Sequence, residues 1–213
     1  MRLRILVSLL ALSLAACDDD KTREPGSVAS LPPLSAGSSQ LLLDGDDAGG
    51  SATAFVADGG AGYLVLQADS DEPAAVIYRR SKGSGDWRRV PAASSVRSLN
   101  TLHGEALPVQ SPPSPAALAG NYRASIATKV AAVVLAEDGR LSGDAGGCRL
   151  GGALDAAKTL GNAATVKATL TDCGEASGSY GGVAWADAEA PNAALRMVLD
   201  DGRRVQDFFL FAE

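Results

Sequence analysis

The last hundred residues carry eight β-prone segments in unbroken succession: NYRASIA, VAAVVLAE, RLSGDA, CRLGGAL, ATVKATLTD, SGSYGGVAWAD, AALRMVLDD and RRVQDFFLFAE. The gaps between them are too short for crossover helices, so neighbouring segments can only pair antiparallel. Turns such as EDGR and DDGR contain a D-G pair, which favours a tight hairpin. Eight successive antiparallel strands in residues 118–213 predict a small meander that closes, or nearly closes, into a barrel, since closure removes the exposed edges.

Alternation assigns the faces. Tyr122, Ala124 and Ile126 fall on one side with Arg123 and Ser125 on the other, and Leu195, Met197 and Leu199 oppose Arg196 and Asp200. Val183 and Trp185 share a face. An interior of Ala, Val and Leu, with Gly151, Gly152, Gly181 and Gly182 at sharp bends, is a packed core. With 5% aromatic residues the chain does not advertise the wide lumen that a carrier of hydrophobic ligands needs.

A second β-rich unit precedes this one. SATAFVA, GYLVLQA, AAVIYRR and DWRRV are short strands punctuated by DGG, DSDEP and KGSG, and QLLLDGDDAGG adds one more at the start. Four prolines in residues 108–117 predict a semi-rigid connector. The fold class is therefore all-β, a small antiparallel unit at 39–107 followed by the barrel at 118–213. The first unit is near the lower size limit for an independent core, and docking on the second would complete it.

The N-terminus constrains location. Arg2 and Arg4 precede a twelve-residue apolar stretch, Ile5 to Ala16, too short to span a bilayer. Leu14, Ala15, Ala16 and Cys17 then resemble a lipobox, which implies cleavage of residues 1–16 and lipidation at Cys17. Removal of that segment leaves 17 basic and 25 acidic residues, a net charge of −8. Such a surface is repelled by nucleic acid and by anionic headgroups, so membrane contact is expected from acyl chains alone. Residues 17–38 read as a lipidated, disordered tether. Asp18, directly after the lipidated cysteine, resembles an inner-membrane retention signal, which favours the inner over the outer membrane on the periplasmic side.

With Cys17 acylated, Cys148 and Cys173 remain as one pair in an oxidising compartment. A structural disulfide is the favoured reading; the alternative is a reactive thiol pair, against which stand the lack of a C-x-x-C spacing and of a His or cationic cluster beside either cysteine. Gly120 with Tyr122, Asp138 to Gly143, Gly147 with Cys148, and Cys173 followed by Gly178, Tyr180 and Gly182 are similar to the C-terminal β-domain of a group of proteobacterial envelope lipoproteins. The resemblance covers residues 118–213. It implies the disulfide-containing small barrel and no assigned chemistry, while the N-terminal unit departs from the G-x-W-x-G opening of that group.

Motifs for catalysis are sparse. The single histidine, His103, excludes a multi-His zinc site and leaves one candidate base beside the connector. No G-x-S-x-G, S-x-x-K or P-loop signature occurs. Asp44, Asp46 and Asp47 begin like a calcium loop, but Ala48 and Phe55 stand where oxygen ligands are required, so a solvated turn is the preferred reading. Asp69, Asp71 and Glu72 read the same way. No cofactor or metal is expected.

The one concentrated basic run is Arg79, Arg80 and Lys82, with Arg88 and Arg89 flanking Trp87. It reads either as a solvated hairpin end or as a recognition surface for an acidic partner or a carboxylate-bearing glycan. The expected function is a non-enzymatic, lipid-anchored envelope protein that binds another protein through the Trp87 hairpin. Two alternatives stand beside it: an immunity protein or inhibitor of a wall-degrading toxin or lysozyme, and a hydrolase using Asp44, Asp46, Asp69 and Asp71.

Overall fold

In a computed structural model, residues 27–28, 31, 33–68, 72–93, 96, 98–108, 114–186 and 194–213 are described, with backbone alone at 27–28 and 156–159. The chain is almost all β. Strands β8 (Gly120–Ile126), β9 (Lys129–Leu135), β10 (Arg140–Ala145), β11 (Cys148–Leu160), β12 (Ala163–Thr171), β13 (Gly178–Trp185), β14 (Leu195–Asp200) and β15 (Val205–Ala212) form a closed antiparallel barrel. Each strand pairs with its sequence neighbours, and β15 closes on β8 through Phe211 opposite Arg123 and Ala212 opposite Tyr122.

The expected inward residues fill the barrel. Tyr122, Ala124, Ile126, Leu195, Met197 and Leu199 lie in its core with Leu150, Val166 and Tyr180. Gly152 and Gly182 are demanded by closure: a Cβ on either would come within 2.4 Å of the Lys167 carbonyl or 2.1 Å of the Val198 carbonyl. Both D-G turns adopt the left-handed backbone at their glycine, Gly139 and Gly202, each at φ +86°. β11 is longer than its expected segment and shifts register between Asp155 and Thr159.

Cys148 and Cys173 form a disulfide across the open end of the β11–β12 hairpin, 25 residues apart in sequence. Reduction, or Cys148→Ala with Cys173→Ala, is expected to lower stability by about 2–4 kcal/mol. The check is the urea midpoint with and without reductant; an unchanged midpoint would show that the bridge adds no stability.

The N-terminal unit is a sheet of order β1-β6-β5-β4-β3-β2-β7, with β1 (Ser27–Val28), β2 (Gly37–Asp44), β3 (Ser51–Val56), β4 (Gly62–Gln67), β5 (Val76–Arg80), β6 (Trp87–Val90) and β7 (Asn100–Ala106). Two features differ from the sequence-based expectation. Ser27–Val28, within the expected tether, pairs with Arg88 and Trp87, because the bare edge of β6 offers hydrogen-bonding groups to a passing backbone. β7 falls where no strand was expected, since its residues show no apolar alternation and all seven are exposed. Pro115–Leu118, at the end of the expected connector, forms one helical turn, α1, capped by the Ser114 hydroxyl, which accepts the Ala117 N–H at 3.1 Å. Residues 109–113 of that connector lie outside the described residues.

The sheet is buried on both sides. One face carries Leu41, Leu43, Ala54, Leu64, Leu66, Tyr78 and Trp87, covered by Val96, Leu99, Leu31 and Leu34. The other presents Phe55, Val65 and Ile77 to the outer wall of the barrel, where Leu160, Ala163, Val183, Trp185 and Val198 meet them. Val183 and Trp185 thus share the outward face of β13. Phe55 and Trp185 stack tilted, with centroids 4.9 Å apart. At the rim of the seam the backbone of Gly37 and Ser38 runs so close to Gly161 that a Cβ there would lie 2.4 Å from the Ser38 hydroxyl. The two units are joined by a continuous apolar seam.

Candidate interaction surface

The basic run does not form one patch. Period-2 alternation along two paired strands sends its members to opposite sides of the sheet. Trp87 is 2% exposed in the core on the face turned away from the barrel, with the Arg80 guanidinium 4.6 Å over its ring. Trp87, the expected contact residue, is therefore a packing residue and not an exposed one. Arg80 also donates to the Gly60 carbonyl at 2.5 Å. Arg79 and Arg88, paired across β5 and β6, fall on the barrel-facing side. Arg79 reaches across the seam to Asp200, 2.8 Å away.

Arg89 is buried and takes the place that the calcium-like reading gave to a cation. It donates from Nε to Asp46 Oδ2 at 2.7 Å and from Nη2 to Asp46 Oδ1 at 2.9 Å, a bidentate pair. Tyr78 donates its hydroxyl to the same carboxylate, and the Ala48 N–H donates to Oδ1 at 2.8 Å. Burial by itself raises the Asp46 carboxyl, but the bonds from Arg89, Tyr78 and the Ala48 N–H outweigh it and hold it well below the usual carboxylate range. The same burial and bonding push the Tyr78 phenol above its ordinary value. The 44–47 turn is thus not wholly solvated: Asp47 is exposed, whereas the Asp46 side chain is buried. Its role is to pin the β2–β3 turn to β6.

A second buried polar group lies in the seam. Arg196 donates to Asp207 from Nε and from Nη2, the latter at 2.7 Å, and from Nη2 to the Glu72 carbonyl at 3.2 Å. Asp207 Oδ2 accepts the Ala74 N–H at 2.7 Å. The guanidinium lies 5.4 Å from the Trp185 ring and 4.5 Å from the Phe209 ring. Nearby, burial raises the Asp200 carboxyl, opposed by Arg79. These groups hold the two units together.

Of the other expected site residues, Cys17, Asp18, Asp69 and Asp71 lie outside the described residues. His103 is exposed on β7. Among the described residues no group of three or more His, Cys, Asp and Glu is arranged to hold a metal. An open cavity of about 640 Å³ lies beside the seam, between Tyr63 and the barrel wall at Ala153, Lys167 and Gly181. No helix among the described residues is long and apolar enough to cross a membrane.

The feature left without an internal role is β7. It pairs with β2 on one side and, among the described residues, ends the sheet on the other. Natural sheets guard such edges with Lys, Pro, bulges or covering segments. Here β1 partly covers the opposite edge and the barrel has closed its own. β7 contains neither Lys nor Pro. Its guard is a single irregularity, where the pairing skips Leu102 between Thr101 and His103. Leu102 is 63% exposed and Leu42, opposite His103, is 47% exposed. Sequence reasoning passed over the segment because it looked for side-chain chemistry, whereas an edge recognises through its backbone. No protein-family model matches the chain, and no curated protein or solved structure shows significant similarity to it.

Proposed function

We propose that the chain is a non-enzymatic binding protein of the bacterial cell envelope, lipid-anchored through Cys17 and facing the periplasm, with its open sheet edge at β7 as the contact surface. The observation that carries this reading is β7 itself, a strand that buries none of its side chains and, among the described residues, has no neighbour along one whole edge. A strand of this kind adds little to a core, and it is the geometry by which sheets recruit an extended segment of another protein. The export-like N-terminus, the acidic composition and the disulfide support the periplasmic side. Asp18 favours the inner membrane.

The test is site-specific photo-crosslinking in native membranes, with the crosslinker at Leu102 and, as a control, at Val130 on the far side of the barrel. A discrete adduct is expected from Leu102, absent from Val130 and lost on Ala106→Pro. Equal labelling from both positions, or none from Leu102, overturns the reading. Release of the protein into the soluble fraction on Cys17→Ala checks the anchor separately.

A further inference from the structure

Building on the binding role proposed for β7, we infer that its occupant is an extended, basic segment of a different protein, added as a new strand next to Gly104 and Ala106. The Leu107 N–H donates to the Ser38 carbonyl at 2.9 Å, so the backbone of Leu107 faces β2. Successive residues of a strand direct their N–H and C=O groups to alternate sides. His103 and Glu105 therefore also face β2, and Gly104 and Ala106 present theirs to the open edge. The irregularity at Leu102 ends this regular stretch, so the docking strand is short and its binding reversible.

Charge selects the kind of strand. β2, β7 and the turn between β2 and β3 contain Asp44, Asp46, Asp47 and Glu105 and no Lys or Arg. Arg89 engages Asp46 fully, while Asp44, Asp47 and Glu105 are exposed. A strand laid beside Gly104 and Ala106 has Glu105 between its two docking residues and Asp44, opposite Asn100, beyond Leu102, with Leu42 and Leu102 offering apolar contact. Lysine or arginine flanking apolar residues is the complementary pattern.

Two other occupants fit less well. A second copy of the lipid-anchored form would bring its own net charge of −8 against the first. A short strand pair also falls far below the roughly 1,200–2,000 Å² of a stable interface. The chain's own N-terminal segment enters the sheet at β1, six strands away, about 29 Å at the usual strand spacing of ~4.8 Å.

The experiment uses the purified chain and an acetylated, amidated heptapeptide alternating lysine and valine, followed by amide hydrogen exchange. The Gly104 and Ala106 amides should gain protection on the order of tenfold, and the gain should shrink at high salt. A glutamate-valine peptide should give none. Ala106→Pro should remove the protection at Gly104. Leu102→Lys, which leaves the backbone intact, should weaken binding of the lysine peptide. Equal protection by the glutamate peptide, or an unchanged response in Ala106→Pro, overturns the inference. Protection that rises with protein concentration in the absence of peptide overturns it in favour of self-pairing. A failed peptide experiment alongside a Leu102 adduct in membranes rejects the basic strand and leaves the binding role standing.

Discussion

Asp207→Ala is expected to cost about 3–5 kcal/mol, a large share of the stability of an ordinary domain. Side-chain exposure is 1% for Arg196 and 2% for Asp207, so the pair is effectively dry. Removing the carboxylate takes the bidentate acceptor from the guanidinium held between Trp185 and Phe209. It also takes the acceptor from the Ala74 N–H, and with it the tie to the stretch leading into β5. Urea unfolding at neutral pH should show a lower midpoint, and a second transition if the seam gives way before the barrel. Arg196→Leu with Asp207→Leu should recover much of the loss, because a buried ion pair contributes less than its breakage costs. A loss below about 1 kcal/mol for Asp207→Ala would show that water reaches the pair.

Asp46→Ala is the second large effect, expected at about 3 kcal/mol by the same reasoning. Arg89 loses its bidentate partner and Tyr78 its acceptor, both within the core of the N-terminal sheet. This site also predicts a pH dependence. The folded-state carboxyl is held below its ordinary value of 3.8, so its contribution is fully present above that value and is lost as pH falls below it. The measurement is the difference in unfolding free energy between the wild type and Asp46→Asn from neutral pH down to about 3. The difference should be largest near neutrality and shrink towards the acid end. A constant difference would mean that Asp46 titrates as a free carboxylate. Taking the difference isolates this group from Asp138 and Asp201, whose carboxyls are also lowered by arginine and backbone N–H bonds.

Together these two clusters give β7 its platform. Arg89 and Asp46 fix the turn from which β2 hands on to β3, and β2 is the strand that carries β7. Arg196 and Asp207 fix the sheet to the barrel. A rigid support lowers the ordering cost of receiving a flexible strand.

The barrel was legible from local patterns. Each of its strands sits between short turns and shows one-in, one-out alternation, and each pairs with its neighbour in sequence. Val130 and Lys129 illustrate the limit: the turn before them, Ala127 and Thr128, is left-handed at φ 46° and 68° with no glycine to mark it. Trp87 illustrates another. An aromatic among arginines looks like a surface anchor in one dimension, yet pairing β6 with β5 and covering one face buries it.

By itself, then, the sequence determined the all-β class, the eight-strand meander and its inward faces, which follow from period-2 patterning and short turns, and the cysteine pair, which follows from the cysteine count. Only the tertiary structure decided which outward residues were truly outward. Arg196 and Asp200 read as outward-facing by alternation, and they are buried because the N-terminal sheet lies over that wall. β7 was decided there as well, since an open edge depends on which strand lacks a neighbour, and local patterning along a single strand does not report that.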